Sequence, residues 1–175
     1  MEKIKNEDLG RVSVEDFLKT EKIPVIIVLD NVRSALNVGS VFRTADAFRV
    51  SKIYLCGITP VPPNRDILKS ALGATETVQW EYVDTTLELI NHLKNENYSL
   101  IAVEQTRTSI QLQDFNLPKE KKIALIFGHE VDGVNQSVIN LCNTSIEIPQ
   151  QGTKHSLNIA VCAGIVVWEM FKKYL

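Results

Sequence analysis

Two short runs without a single polar residue, 25–29 and 123–127, constrain this chain more than any other feature. A strand that is apolar on both of its alternating faces has to be covered on both, which is the condition of a parallel sheet with helices above and below it. Three further β-rich runs, 52–56, 99–103 and 144–148, read as partner strands. Between the runs the apolar spacing turns helical, over 38–48, 66–72, 85–94, 136–141 and 156–173. The predicted fold class is therefore α/β, a mainly parallel sheet flanked by helices. With 175 residues and 45% hydrophobic content there is material for one sizeable core. Residues 1–22 are charge-rich and hold a short amphipathic piece at Val14, Phe17 and Leu18, with Ser13 and Asp16 in capping-box register. They are expected to form an arm, and 23–175 a single domain.

Composition excludes more than it assigns. Cys56, Cys142 and Cys162 are widely spaced, with no CxxC pair and no histidine at zinc-ligand spacing, so reduced thiols and no metal site are expected. The longest apolar segment, 159–167, is too short to span a bilayer and no basic-then-apolar leader opens the chain, so the expectation is a cytoplasmic protein with no membrane partner. Net charge is −2, so a nucleic-acid partner would have to be recognised by local residues rather than by a basic domain. The chain has no P-loop, no GxGxxG after its first strand and no GxSxG elbow, which argues against a flavodoxin-like nucleotide-binding enzyme or a hydrolase.

Ligands of such sheets sit at the carboxyl ends of the strands, and three segments there carry polar chemistry. The first runs from Asn31 through Arg33, Asn37, Gly39 and Arg43 to Asp46. Its arginines offer planar donor forks for phosphate, Gly39 allows close backbone approach, and Asn37 suits the N-cap of the helix that follows. A capped amphipathic helix with surface ion pairs would look the same. The second, Gly128, His129, Glu130 to Gly133, places a carboxylate between two glycines after a buried strand. It reads equally as an ordinary strand-to-helix turn. In the third, Ile148, Pro149 and Gly152 lead to Ser156, Leu157 and Asn158, with Ser156 a natural cap for a helix whose first two turns carry small residues.

Taken in order, these segments resemble the three motifs of the SpoU (TrmH-like) methyltransferases of the SPOUT superfamily, over roughly residues 23–174. The first matches N-x-R-x(3)-N-x-G-x(3)-R-T through Asn31, Arg33, Asn37, Gly39, Arg43 and Thr44, the second matches through Gly128, Glu130 and Gly133, and the third through Ile148, Pro149, Gly152, Ser156, Leu157 and Asn158. The resemblance implies a C-terminal deep trefoil knot, an exception to the rule that chains do not thread loops. It implies S-adenosylmethionine held by main chain at Gly128, Ile148 and Leu157, with Glu104 nearby. It makes Arg43 the central catalytic residue, with Asn37, Glu130, Ser156 and Asn158 shaping the site, and Asn31, Arg33 and Lys154 as RNA contacts. The implied reaction is 2′-O-methylation of a ribose in structured RNA, tRNA first and ribosomal RNA second, by a homodimer whose C-terminal and first-motif helices meet. Arg49, Arg65, Lys69 and Arg107 complete the cations available to RNA. A non-catalytic RNA-binding protein that kept the fold is the rival from another class. His129 and His155 lie inside or beside the motifs without belonging to the pattern, as a base, a phosphate ligand or neither.

Overall fold

The two wholly apolar runs pair with each other at the centre of one sheet. The computed structural model describes residues 1–5, 8–10, 12–116 and 121–175. Its strands are β1 (Ile23–Asp30), β2 (Val50–Cys56), β3 (Trp80–Val83), β4 (Ser99–Val103), β5 (Ile110–Gln111), β6 (Ile123–Phe127) and β7 (Thr144–Glu147). They lie in the order β3-β2-β1-β6-β4-β7-β5, with each neighbouring pair parallel. Their alternation divides the interior in two. Val25, Ile27, Leu29, Ile123, Leu125 and Phe127 point into one core, and Ile26, Val28, Ala124 and Ile126 into the other. Each large aliphatic side chain so placed contributes about 1.5–3 kcal/mol by leaving water.

The first core is closed by α2 (Ala35–Ala47), α3 (Arg65–Ala71), the single turn α4 (Ala74–Thr77) and α7 (Ile159–Phe171), the second by α5 (Thr86–Asn95) and the short α6 (Gln136–Ile139). Helix α1 (Val14–Lys19) packs beside α4. Ser13 caps it as expected, its Oγ accepting from the Asp16 N–H and donating to the Asp16 carboxylate. Helix α2 lies on α3 at Gly39, where an added Cβ would fall 2.3 Å from the Ile67 carbonyl oxygen. That contact is why a residue without a side chain stands there.

Several boundaries differ from the sequence reading. Helix α2 begins three residues early because Ser34, not Asn37, is its cap, accepting from the Asn37 N–H at 3.4 Å. Helix α7 begins at Ile159, because Asn158 caps it through Oδ1 to the N–H groups of Ala160 and Val161 (2.9 and 3.4 Å). Ser156 therefore lies in the preceding exposed loop. Strands β3 and β5 and the turn α4 were not expected. β3 is a partly exposed four-residue edge strand, β5 has two residues, and α4 follows Gly73 at φ 93°, so none carries a long enough apolar period to be read. The cysteines are free: Cys56 is buried and Cys142 and Cys162 partly so, and desolvation pushes their thiols up to about 12, 11 and 11. Among the described residues no helix is long and apolar enough to cross a membrane, and no group of three or more His, Cys, Asp and Glu is placed to hold a metal ion.

Candidate active site

The chain runs outward from β1 to β2 and β3 on one side; on the other it starts again at β4, goes to the edge strand β5, returns to β6 beside β1 and then fills the place of β7 between β4 and β5. Such a reversal opens a crevice at the strand ends. Here it is a cavity of about 550 Å³, bounded by Glu104 after β4, the 128–133 turn after β6, Ile148 after β7 and residues 155–158 before α7. The volume falls within the roughly 300–1,000 Å³ of small-molecule sites.

Seven of the residues to which the resemblance gives a catalytic, cofactor or RNA role line it, namely Glu104, Gly128, Glu130, Ile148, Ser156, Leu157 and Asn158, together with Gly133 and the two motif-adjacent histidines. The turn beneath it exists because two glycines allow it. A Cβ on Gly128 would sit 2.1 Å from the Gly133 carbonyl carbon, and one on Gly133, whose φ is 70°, would sit 2.2 Å from Glu104 Oε2. Glu104 fixes the turn from the other side, its Oε2 accepting from the Val134 N–H at 3.0 Å and its Oε1 from the Gln105 N–H at 2.9 Å.

At the lip, one chain of side-chain hydrogen bonds joins the three motifs. Asn158 Nδ2 donates to Asn37 Oδ1 at 3.1 Å, and Asn37 Nδ2 donates to Glu130 Oε1 at 3.1 Å. Glu130 also accepts from the N–H groups of Arg33 (2.9 Å) and Ser34 (2.8 Å), so its carboxylate occupies the amino end of α2, where the helix dipole favours an anion. Partial burial pushes its carboxyl up, but the Arg33, Ser34 and Asn37 donors and its own backbone outweigh this and hold it below its ordinary value. Glu130 is thus an ionised acceptor that fixes the first-motif loop, and is not poised as an acid or base.

Other predicted residues stand apart. Arg43 is exposed on α2, two turns beyond the cap, and does not line the cavity. Arg33 reaches the cluster only through its backbone, and its side chain is exposed, as is Lys154 in the loop before α7. Asn31, at φ 57°, turns its side chain into the protein: Nδ2 donates to Asp30 and Oδ1 accepts from the Ile58 N–H. His129 lines the cavity, and the N–H groups of Val131 and Asp132 both point at its Nδ1 (3.2 and 3.3 Å), which makes that atom an acceptor and leaves the ring proton on Nε2. The Asp132 carboxylate lies 3.2 Å from the same nitrogen. His155 takes part through its carbonyl, which accepts from Gln105 Nε2 at 2.8 Å and ties the 150–158 loop to β4.

Sequence reasoning missed Ser34, Gln105 and Asp30. Ser34 stands one turn ahead of an equally good cap, Gln105 finds His155 50 residues on, and two of the three donors to Asp30, Thr86 and Asn135, are distant in the chain.

A sequence model of the SpoU rRNA Methylase family matches residues 24–168. The chain belongs to the SpoU rRNA methylase family. Within it, the chain is similar to a "Putative TrmH family tRNA/rRNA methyltransferase" of Staphylococcus aureus, 29% identical over 164 residues, 91% of this chain and 64% of that protein. It is 31% identical to an "Uncharacterized tRNA/rRNA methyltransferase" of Borreliella burgdorferi over 97% of this chain and 75% of the relative. Among solved structures it resembles the AdoMet-bound rRNA methyltransferase of Sinorhizobium meliloti, with a TM-score of 0.82 and 25% identity, over 91% of this chain and 60% of that one. The SpoU chain thus spans less than two thirds of the Staphylococcus relative. Its mainly parallel, helix-flanked sheet is the α/β fold that the apolar runs predicted.

Proposed function

We propose that this SpoU-family chain transfers a methyl group from S-adenosylmethionine to a ribose 2′-hydroxyl of structured RNA. The observation that carries the reading is the Asn158–Asn37–Glu130 chain of hydrogen bonds, which brings the three motifs to one lip of a ligand-sized cavity. The cavity suits the cofactor in charge as well as size. Glu104, Glu130, Asp132 and Glu147 line it and, among the described residues, no lysine or arginine does, a favourable surrounding for a sulfonium and an ammonium. Gly128, Ile148 and Leu157 would hold the nucleoside by main chain, with Glu104 buttressing the turn below. The bound cofactor supplies a methyl group already activated by its positive sulfur.

In this reading Asn37 and Asn158 set the acceptor side, with Ser156 beside them, the exposed Arg33 and Lys154 contact RNA, and Asn31, its side chain engaged by Asp30 and Ile58, shapes the loop that presents Arg33 rather than touching RNA itself. Arg43, exposed on α2, stabilises the developing oxyanion and clamps the neighbouring phosphate. A guanidinium gives up its proton too reluctantly to serve as a base, so the proton passes to that phosphate or to water. Residues 1–22 serve as an arm to a methyltransferase domain over 23–175, whose C-terminal segment forms the trefoil knot, in a cytoplasmic homodimer. The dimer is supported by the outer face of α7, where Val161, Ile165 and Trp168 are 52%, 39% and 43% exposed. The preferred acceptor is tRNA. Ribosomal RNA is the second reading, favoured by the Sinorhizobium neighbour.

Mass-spectrometric mapping of ribose methylation on RNA from cells with and without the protein tests the proposal. A 2′-O-methyl mark lost with the protein and restored by it is the expected result. RNA binding with no mark lost would favour the non-catalytic rival.

A further inference from the structure

Asp30 ends β1 with its side chain 2% exposed, and it takes part in none of the ion pairs among the described residues. Three neutral donors from separate parts of the chain converge on it. Thr86 Oγ1 and Asn31 Nδ2 donate to Oδ1 at 2.5 and 2.8 Å, and the Asn135 N–H donates to Oδ2 at 3.1 Å. A buried carboxylate without a counter-charge is costly. What it offers is two acceptor oxygens facing different ways, which no neutral side chain of its size has.

Each oxygen holds one side of the site. Through Asn31, Oδ1 sets the start of the loop whose Arg33 and Ser34 N–H groups bind Glu130. Through Asn135, Oδ2 sets the end of the turn whose Val134 N–H binds Glu104 under the cavity. We infer that Asp30 is a positioning residue that fixes the separation between the first-motif loop and the 128–135 turn, and so between ribose and methyl donor. The inference rests on the function proposed above.

Asp30→Asn separates the two sides. Its oxygen can keep Thr86 and Asn31, but its amide nitrogen then meets the Asn135 N–H donor to donor. The expected result is a loss of about tenfold in S-adenosylmethionine affinity by calorimetry, with faster amide exchange at Val134 and Asn135 and an unchanged KM for RNA. Thr86→Val is the stability control: it removes a donor outside both loops, so it lowers the melting temperature without moving cofactor affinity. Asn135→Pro reaches the same bond from the other end, since its φ of −57° suits proline; it also removes the Oδ1 that accepts from the Ser137 N–H and hydroxyl, a loss that Asn135→Ala, which keeps the N–H to Asp30, measures separately. The proline variant should weaken the cofactor as Asp30→Asn does, and it answers the question if the latter does not fold. Wild-type affinity in folded Asp30→Asn or Asn135→Pro, or equal weakening in Thr86→Val, would overturn the inference while leaving the proposed function standing. Failure of the wild-type chain to bind S-adenosylmethionine would overturn both.

Discussion

The side-chain amide of Asn158 donates to that of Asn37 at 3.1 Å across 121 residues of sequence, and through Asn37 the contact continues to Glu130. Each asparagine uses both ends of its amide. Asn158 Oδ1 caps α7 while its Nδ2 reaches Asn37, and Asn37 accepts from one motif while donating to another. Asn37→Ala empties the middle of this chain and should lower methyl transfer by roughly 100-fold, the scale of a misplacement of about 1 Å. Single-turnover assays at saturating cofactor check it. Asn37→Asp should be worse, since it sets a second carboxylate against Glu130.

Arg43 stands outside the cavity, so Arg43→Ala is expected to abolish methylation while leaving S-adenosylmethionine affinity intact. Calorimetry with parallel turnover assays separates the two effects. Unimpaired turnover would remove Arg43 from the mechanism.

Glu130 gives a pH signature. Its folded carboxyl titrates below the ordinary 4.5, so the stability it adds is fully present above that value and is lost as pH falls through the lower folded value. Glu130→Gln cannot titrate. The melting-temperature advantage of the wild type at neutral pH should therefore shrink as the pH is taken below 4.5.

Gly39→Ala places a methyl group against the Ile67 carbonyl oxygen and the Ser70 hydroxyl. The backbone oxygen cannot move aside cheaply, so α2 and α3 have to separate, at a cost of about 1–3 kcal/mol. Urea unfolding measures it.

If the outer face of α7 is a subunit contact, Ile165→Glu should turn a dimer into a monomer in sedimentation velocity without unfolding the chain, because the side chain it replaces is 39% exposed in the protomer.

Much of this was readable in the chain. The apolar runs at 25–29 and 123–127 demand a sheet covered on both faces, and alternate residues of both strands do enter two different cores. Which residue caps a helix was not readable, because Ser34 and Asn37 are chemically good caps three positions apart, and so are Ser156 and Asn158 two apart. The choice is made by Glu130, almost 100 residues away from Ser34, which recruits the Arg33 and Ser34 N–H groups and leaves Asn37 free to bridge. Asp30 was hidden for the same reason: its donors come from positions 31, 86 and 135. Motif spacing located the cavity wall, while Arg43, on the same pattern, lies beyond it.

The bond between Asn37 and Asn158 also sets when in a molecule's life the site can exist. During synthesis the chain emerges from its amino end, and the loop that carries Asn37 and the first strands beneath it are exposed long before α7 has been made. Until Asn158 arrives, Asn37 lacks its second partner, the cavity lacks its wall at 155–158, and α7 is not there to cover the first core. A nascent or shortened chain that stops before α7 can therefore hold much of the strand framework and still lack an assembled site, so that closure of the cavity reports synthesis as far as Asn158 as well as correct folding.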